Sequence, residues 1–133
     1  MVCKISNEGV HWFEIPVNDL VRAKTFYEAV FGMPMSIQTK GILQMAMWLK
    51  PSNPSGAGGS LIKVDGIKPS HNGTLVYFTV DDIQSVLDRV NASGGKTLKA
   101  KMSIGEYGFI AHFEDSEGNK IGLHHPGKSS SCS

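Results

Sequence analysis

This 133-residue chain is poor in the features that mark most specialised proteins. It has two cysteines, Cys3 and Cys132, near opposite ends. That number and spacing build neither a disulfide framework nor a zinc knuckle, so the expectation is a cytoplasmic protein with reduced thiols. Lys and Arg never stand side by side and the formal net charge is +1. The basic patch that a nucleic-acid partner requires is therefore missing. No apolar run approaches the roughly 20 residues of a membrane span, and "MVCKISNEG" lacks the apolar centre of a secretory leader. No nucleic acid or membrane is expected as a partner. What is present, 41% hydrophobic and 19% charged residues, is the composition of a globular protein large enough for one domain with a core.

The chain reads as written twice. In "GVHWFEIPVNDLVRAKTFYEAVFG" an alternating stretch passes into a helical period, with Leu20, Ala23, Tyr27 and Val30 on one face. Asn18 or Asp19 supplies an N-cap and Gly32 a stop. In "GTLVYFTVDDIQSVLDRVNASGG" the same order returns, with Asp81 or Asp82 as cap, Ile83, Val86, Leu87 and Val90 as the face, and Gly94 and Gly95 as the end. Val17 and Val80, Asp19 and Asp82, Gly32 and Gly95 all correspond at one offset, 80 − 17 = 63. After each helix come three short strand-like segments: "PMSIQTK", "ILQMAMWLK" and "GSLIKV", then "KTLKAKMS", "YGFIAHFED" and "NKIGLHH". "DSEGNK" reads as the hairpin turn between the last two. The expected fold class is α+β, two βαβββ modules (9–65 and 72–126) followed by a disordered tail at 127–133. The modules pair into a curved, partly open mixed sheet cleft with the helices outside. A single ordinary α+β sheet is the alternative.

Side chains alternate along a strand, which separates the two faces. Phe13, Ile15 and Val17, Val76, Phe78 and Val80, and Ile121 and Leu123 form the apolar sets that pack under the helices. Trp12 and Glu14, Leu75, Tyr77 and Thr79, and Gly122 and His124 are left on the opposite, cleft-lining face. His124 and His125 in "EGNKIGLHHP" then point opposite ways, so this pair is not by itself half of a metal site.

These residues resemble the vicinal oxygen chelate superfamily, which includes glyoxalase I, extradiol dioxygenases, and the fosfomycin and bleomycin resistance proteins. The resemblance rests on the two strand–helix–three-strand units, on "VNDLVRAKTFYEAVFGM" and on "FEDSEGNKIGL", and covers roughly residues 9–126. "WFEIPVNDL…FYEAVFG" with "GNKIGLHHP" is most similar to bacterial lactoylglutathione-lyase-related proteins. The resemblance implies metal ligands from the first and last strand of each module. Those positions fall on Trp12 and Leu75, on Gly122 where glyoxalases carry Glu, and within residues 59–64, which contain no His, Asp or Glu. Tryptophan, leucine and glycine side chains offer no lone pair to a divalent ion. No metal and no other cofactor is expected.

Two functions stay open on this reading. In one, a glyoxalase-like enzyme of unassigned substrate works without the usual metal, with Glu14 and His124 exchanging protons. In the other, the chain binds or sequesters a small molecule as the bleomycin-resistance relatives do. Trp12, Leu75, Tyr77, Thr79, Glu106 and Tyr107 are the expected substrate-binding residues. Glu14 reads equally as an acid paired at a sheet edge, and Tyr77 as a structural hydrogen-bonding phenol. His11 and His112 read as core or edge histidines, His71 and His125 as loop and rim residues. Met33, Met35, Met45 and Met47 form a soft apolar set that suits a deformable pocket but reads first as core filling, and "PSNPSGAGG" (51–59) reads as a flexible loop rather than a lid. The resemblance also implies a homodimer, because small proteins of this fold commonly associate.

Overall fold

The computed structural model describes residues 10–48 and 57–127. The first module consists of β1 (Trp12–Pro16), α1 (Leu20–Phe31), β2 (Met35–Lys40), β3 (Leu43–Trp48) and β4 (Gly58–Lys63). The second consists of β5 (Tyr77–Thr79), α2 (Ile83–Ala92), β6 (Lys96–Ser103), β7 (Phe109–Glu114) and β8 (Lys120–His125), with a 3-10 turn at Gly105–Tyr107. Each module forms a four-stranded mixed sheet, ordered β1-β4-β3-β2 and β5-β8-β7-β6, in which the first strand runs parallel to the last. The α+β reading with two βαβββ modules describes this architecture. Most of the 51–59 loop and all but Gly127 of the 127–133 tail lie outside the described residues, as do both cysteines. No described helix is long and apolar enough to cross a membrane.

Local chemistry sets both helices. The side chain of Asp19 accepts from the Arg22 amide at 3.0 Å, and that of Asp82 from the Ser85 amide at 3.1 Å. In each case an otherwise unpartnered amide of the first turn is satisfied. Gly32 ends α1 at φ +68°, a left-handed conformation that costs glycine little, while its amide closes on the Glu28 carbonyl at 2.8 Å. The apolar faces expected for the two helices are all buried.

The modules pair within one chain. Ile15, Val17, Leu61, Phe113, Ile121 and Leu123 share a single core with both helices, and Phe13, Phe78 and Val80 pack against it. Phe78 lies 5.5 Å from Phe13, 4.6 Å from Phe31 and 5.7 Å from Trp48, ring centre to ring centre, so one aromatic of the second module inserts among three of the first. The methionines divide. Met35 belongs to the core and Met33 packs against it. Met45 and Met47 alternate with the buried Ala46 and Trp48 and therefore occupy the other face. Core filling accounts for only half of the set.

A polar joint accompanies the apolar one. The β7–β8 turn is buried against the first module: Asp115, Glu117 and Asn119 are at most 8% exposed. The Tyr27 hydroxyl donates to Asp115 Oδ2 at 2.6 Å. Asn119 Nδ2 donates to the Pro16 carbonyl at 2.8 Å. Glu117 Oε1 accepts from the amides of Asn18 and Asp19 at 2.9 and 3.0 Å, and its carboxylate takes Arg22 Nε and Nη2 in a two-pronged bond at 2.8 and 2.9 Å. Burial, and then the charge and bond of Asp115, raise Tyr27 well above the usual phenol range, so it remains a neutral donor.

Tyr27→Phe strips a buried carboxylate of this donor. It should cost about 2 kcal/mol in urea unfolding, and a loss below about 0.5 kcal/mol would remove Tyr27 from the joint. Burial alone would raise Glu117, but its bonds to Arg22, Asp19, Asn18 and Ser116 together hold it below its ordinary value of 4.5. A carboxyl depressed in the folded state contributes stability above its unfolded value, which is lost as pH falls through the folded value. Unfolding midpoints should therefore drop below pH 4.5, and the drop should be shallower in Glu117→Gln. An identical acid slope in that variant would show that other carboxyls set it.

Candidate functional site

Each sheet carries a helix on one face only, so strand register defines what the other, helix-free face presents. In the first module Glu14 pairs with Ser60, Pro16 with Ile62, Met47 with Ser60 and Met45 with Ile62. With half-buried Trp12 one pleat before Glu14, this face is an apolar wall bearing one carboxylate. The Ser60 hydroxyl is fully buried and has no hydrogen-bond partner among the described residues. In the second module Tyr77 pairs with Gly122, Thr79 and Ile110 with His124, and Lys99 and Gly122 with His112. This face is polar and cationic.

Tyr77 and His112 form a pair, with Oη to Nε2 at 2.8 Å and ring centres 5.6 Å apart. The phenol ring lies directly on Gly122, where a Cβ would come within 2.5 Å of a Tyr77 ring carbon. Only glycine leaves room for it. Tyr77 is 44% exposed and His112 is 8% exposed. Burial, then Lys120 and Lys99, push the basicity of His112 below the usual imidazole range, which favours the neutral ring.

Glu14 lines a cleft of about 230 Å³ at the junction of the modules, with Pro16 beside it and Lys68, Ser70, Asn72 and Lys120 among the facing groups. His124 is not among the residues of that cleft. It belongs to the second sheet, and its Nε2 donates to the Tyr107 carbonyl at 2.8 Å. The fold thus places Glu14 and His124 on different sheets and in different surroundings. Leu75 is half-buried just ahead of β5, and Thr79 is exposed beside His124. Glu106 and Tyr107 lie on the 3-10 turn, both exposed, and Tyr107 meets His124 through its backbone. His71 bonds Glu114 at 2.8 Å, and His125 Nδ1 donates to the Val80 carbonyl at 3.0 Å. His112, Lys99 and Lys120 are the face residues that sequence reasoning did not gather. Counting back through the hairpin from Gly122 would have found His112, since the two are partners across β7 and β8.

The metal positions implied by the resemblance can be tested against this geometry. The register in the first module spans 60 − 14 = 46 residues and in the second 122 − 77 = 45, so the counterpart of Gly122 is Ser60. The four positions are then Trp12, Ser60, Leu75 and Gly122. Two have no donor, the third is a buried hydroxyl, and the space above the fourth is filled by the Tyr77 ring. Among the described residues no three His, Cys, Asp or Glu side chains gather as a metal would require. These residues do not fit the glyoxalase metal.

Comparison with known proteins agrees with the fold. The family model described as Glyoxalase/Bleomycin resistance protein/Dioxygenase superfamily matches residues 9–123. A Glyoxylase-like domain-containing protein from Didymella fabae is 32% identical over 110 residues, covering 80% of this chain and 84% of its own. A glyoxalase I mutant structure from Zea mays superimposes with a TM-score of 0.70 at 23% identity, covering 87% of this chain but only 46% of the maize chain. TnmS3, an antibiotic binding protein from Streptomyces sp. CB03234, superimposes with a TM-score of 0.64 at 26% identity, covering 92% of this chain and 99% of its own. Sequence and fold together make this chain a member of the Glyoxalase/Bleomycin resistance protein/Dioxygenase superfamily.

Proposed function

We propose that this glyoxalase-like chain binds a small organic molecule on the helix-free faces of its modules and does so without the superfamily's metal. The observation that carries this reading is the Tyr77 ring seated on Gly122, which fills the space a ligating side chain would need. The remaining equipment suits holding a ligand. Trp12, Met45 and Met47 supply a deformable apolar wall, and Glu14 supplies one orienting acceptor at the mouth of the inter-module cleft. The likeness to an antibiotic binding protein over nearly the whole of both chains supports binding.

A second reading, metal-free acid/base catalysis, is favoured by the Tyr77–His112 bond, since a phenol joined to a neutral imidazole can pass a proton. In that reading Glu14 and His124 act on separate parts of a substrate rather than at one atom. Either way a homodimer is proposed, because a second copy would cover the exposed faces and bring more surface to the ligand.

In a Trp48→Phe variant the remaining tryptophan, Trp12, reports directly on the first face. Some member of a panel of aromatic antibiotics and metabolite-sized aromatics should quench it saturably, with binding weakened severalfold by Glu14→Gln. A folded variant that no panel member quenches would count against the binding reading. The purified protein should hold no stoichiometric metal and should keep its unfolding midpoint in chelator. Elemental analysis finding near one zinc, nickel or iron per chain, lost in Glu14→Gln, would restore the metalloenzyme. Sedimentation at micromolar concentration should give a dimer, and a monomer there would remove the second copy from the proposal.

A further inference from the structure

The helix-free face of the second module carries charge that the fold itself does not use. Lys99 stands opposite His112 across β6 and β7, and Lys120 lies two residues before Gly122 on the same face of β8. Among the described residues neither lysine forms an ion pair. The nearest acid in register, Glu114 opposite Lys120, is held by His71 at 2.8 Å. Between the lysines sits the Tyr77–His112 pair, in which the orienting imidazole is buried and the phenol is reachable. In the neutral tautomer that carries its proton on Nε2, His112 donates to Tyr77 Oη, and the phenolic proton is then free to point away from the imidazole toward a ligand on the sheet. One pleat further along, Ile110 and Met102 pair across β7 and β6 and offer apolar surface beside the polar groups.

We infer that this face is a binding site for a carboxylate carried on an aromatic or similarly apolar small molecule. Tyr77 donates a hydrogen bond to the carboxylate, Lys99 and Lys120 balance its charge, and Ile110 and Met102 receive the apolar body. The inference rests on the small-molecule reading above and narrows it to organic anions. A phenol oriented by a buried partner loses little freedom on binding, and a hydrogen bond to a charged acceptor is about twice as strong as a neutral one. The lysines are partly solvated, so their share of the affinity should fall as salt rises.

The test is NMR titration of the full chain, following the ring signals of His112 and Tyr77, with benzoate, benzamide and inorganic phosphate. Benzoate should shift both residues saturably and bind about tenfold more tightly than its neutral isostere benzamide. Tyr77→Phe, and separately the Lys99→Gln/Lys120→Gln double variant, should each weaken benzoate about tenfold. Lys99 is exposed and Lys120 half-buried, and neither belongs to the core, so the lysine variant keeps the test alive if Tyr77→Phe disturbs packing. Benzamide binding as tightly as benzoate would overturn the anion claim while leaving small-molecule binding intact. Phosphate matching benzoate would reassign the face to free inorganic oxyanions. No shift from any of the three, in a protein whose Trp12 is still quenched by panel compounds, would overturn this site alone. Silence in both experiments would overturn both readings.

Discussion

The fold depends on one turn. Between β7 and β8, Asp115, Glu117 and Asn119 turn their side chains away from solvent and into the first module, where they satisfy the start of α1, the end of β1 and the hydroxyl of Tyr27. Two separate four-stranded sheets have little reason to hold a fixed relation. The shared aromatic core attracts them without direction, and the turn supplies the geometry. Carboxylates placed at the beginning of α1 also face the positive end of the helix dipole, so Glu117 reinforces what Asp19 begins.

Once the turn fixes the modules, the buried sides of both sheets are committed to one core and the other sides are left for chemistry. These free sides have diverged. The first presents tryptophan and methionine with a solitary carboxylate, the second a phenol, an imidazole and two ammonium groups. A duplicated module thus offers two unlike surfaces from one architecture, and a fold shared with glyoxalase I does not carry that enzyme's reaction with it.

Much of this frame was legible in the sequence. Alternation separated Phe13 and Ile15 from Trp12 and Glu14, and spacing named the buried face of each helix, because burial imposes a period on residue type. The turn was legible only as a turn. Asp, Glu and Asn in a Gly-containing loop normally face water, and nothing local says that these three are buried against residues roughly a hundred positions earlier. Met45 and Met47 were misgrouped with Met33 and Met35, since methionine carries no sign of which face it occupies. His112 was read as a core or edge histidine, and its part in the face was missed because it comes from partners, Tyr77 and Lys99, on two other strands. The placement of Glu14 and His124 on separate sheets was likewise a matter of tertiary geometry, out of reach of parity within single strands.

The seat of Tyr77 on Gly122 has an evolutionary consequence. Positions 77 and 122 contend for one volume, although they stand 122 − 77 = 45 residues apart in the chain. No side chain fits at 122 while the ring is there, because its first carbon would collide with Tyr77. The ring would have to shrink or swing aside first, and either change breaks the bond to His112. Such a pair behaves as a ratchet. A descendant of this chain could refine what its second face holds in many single steps, but gaining a metal ligand at 122 would require changes at both positions.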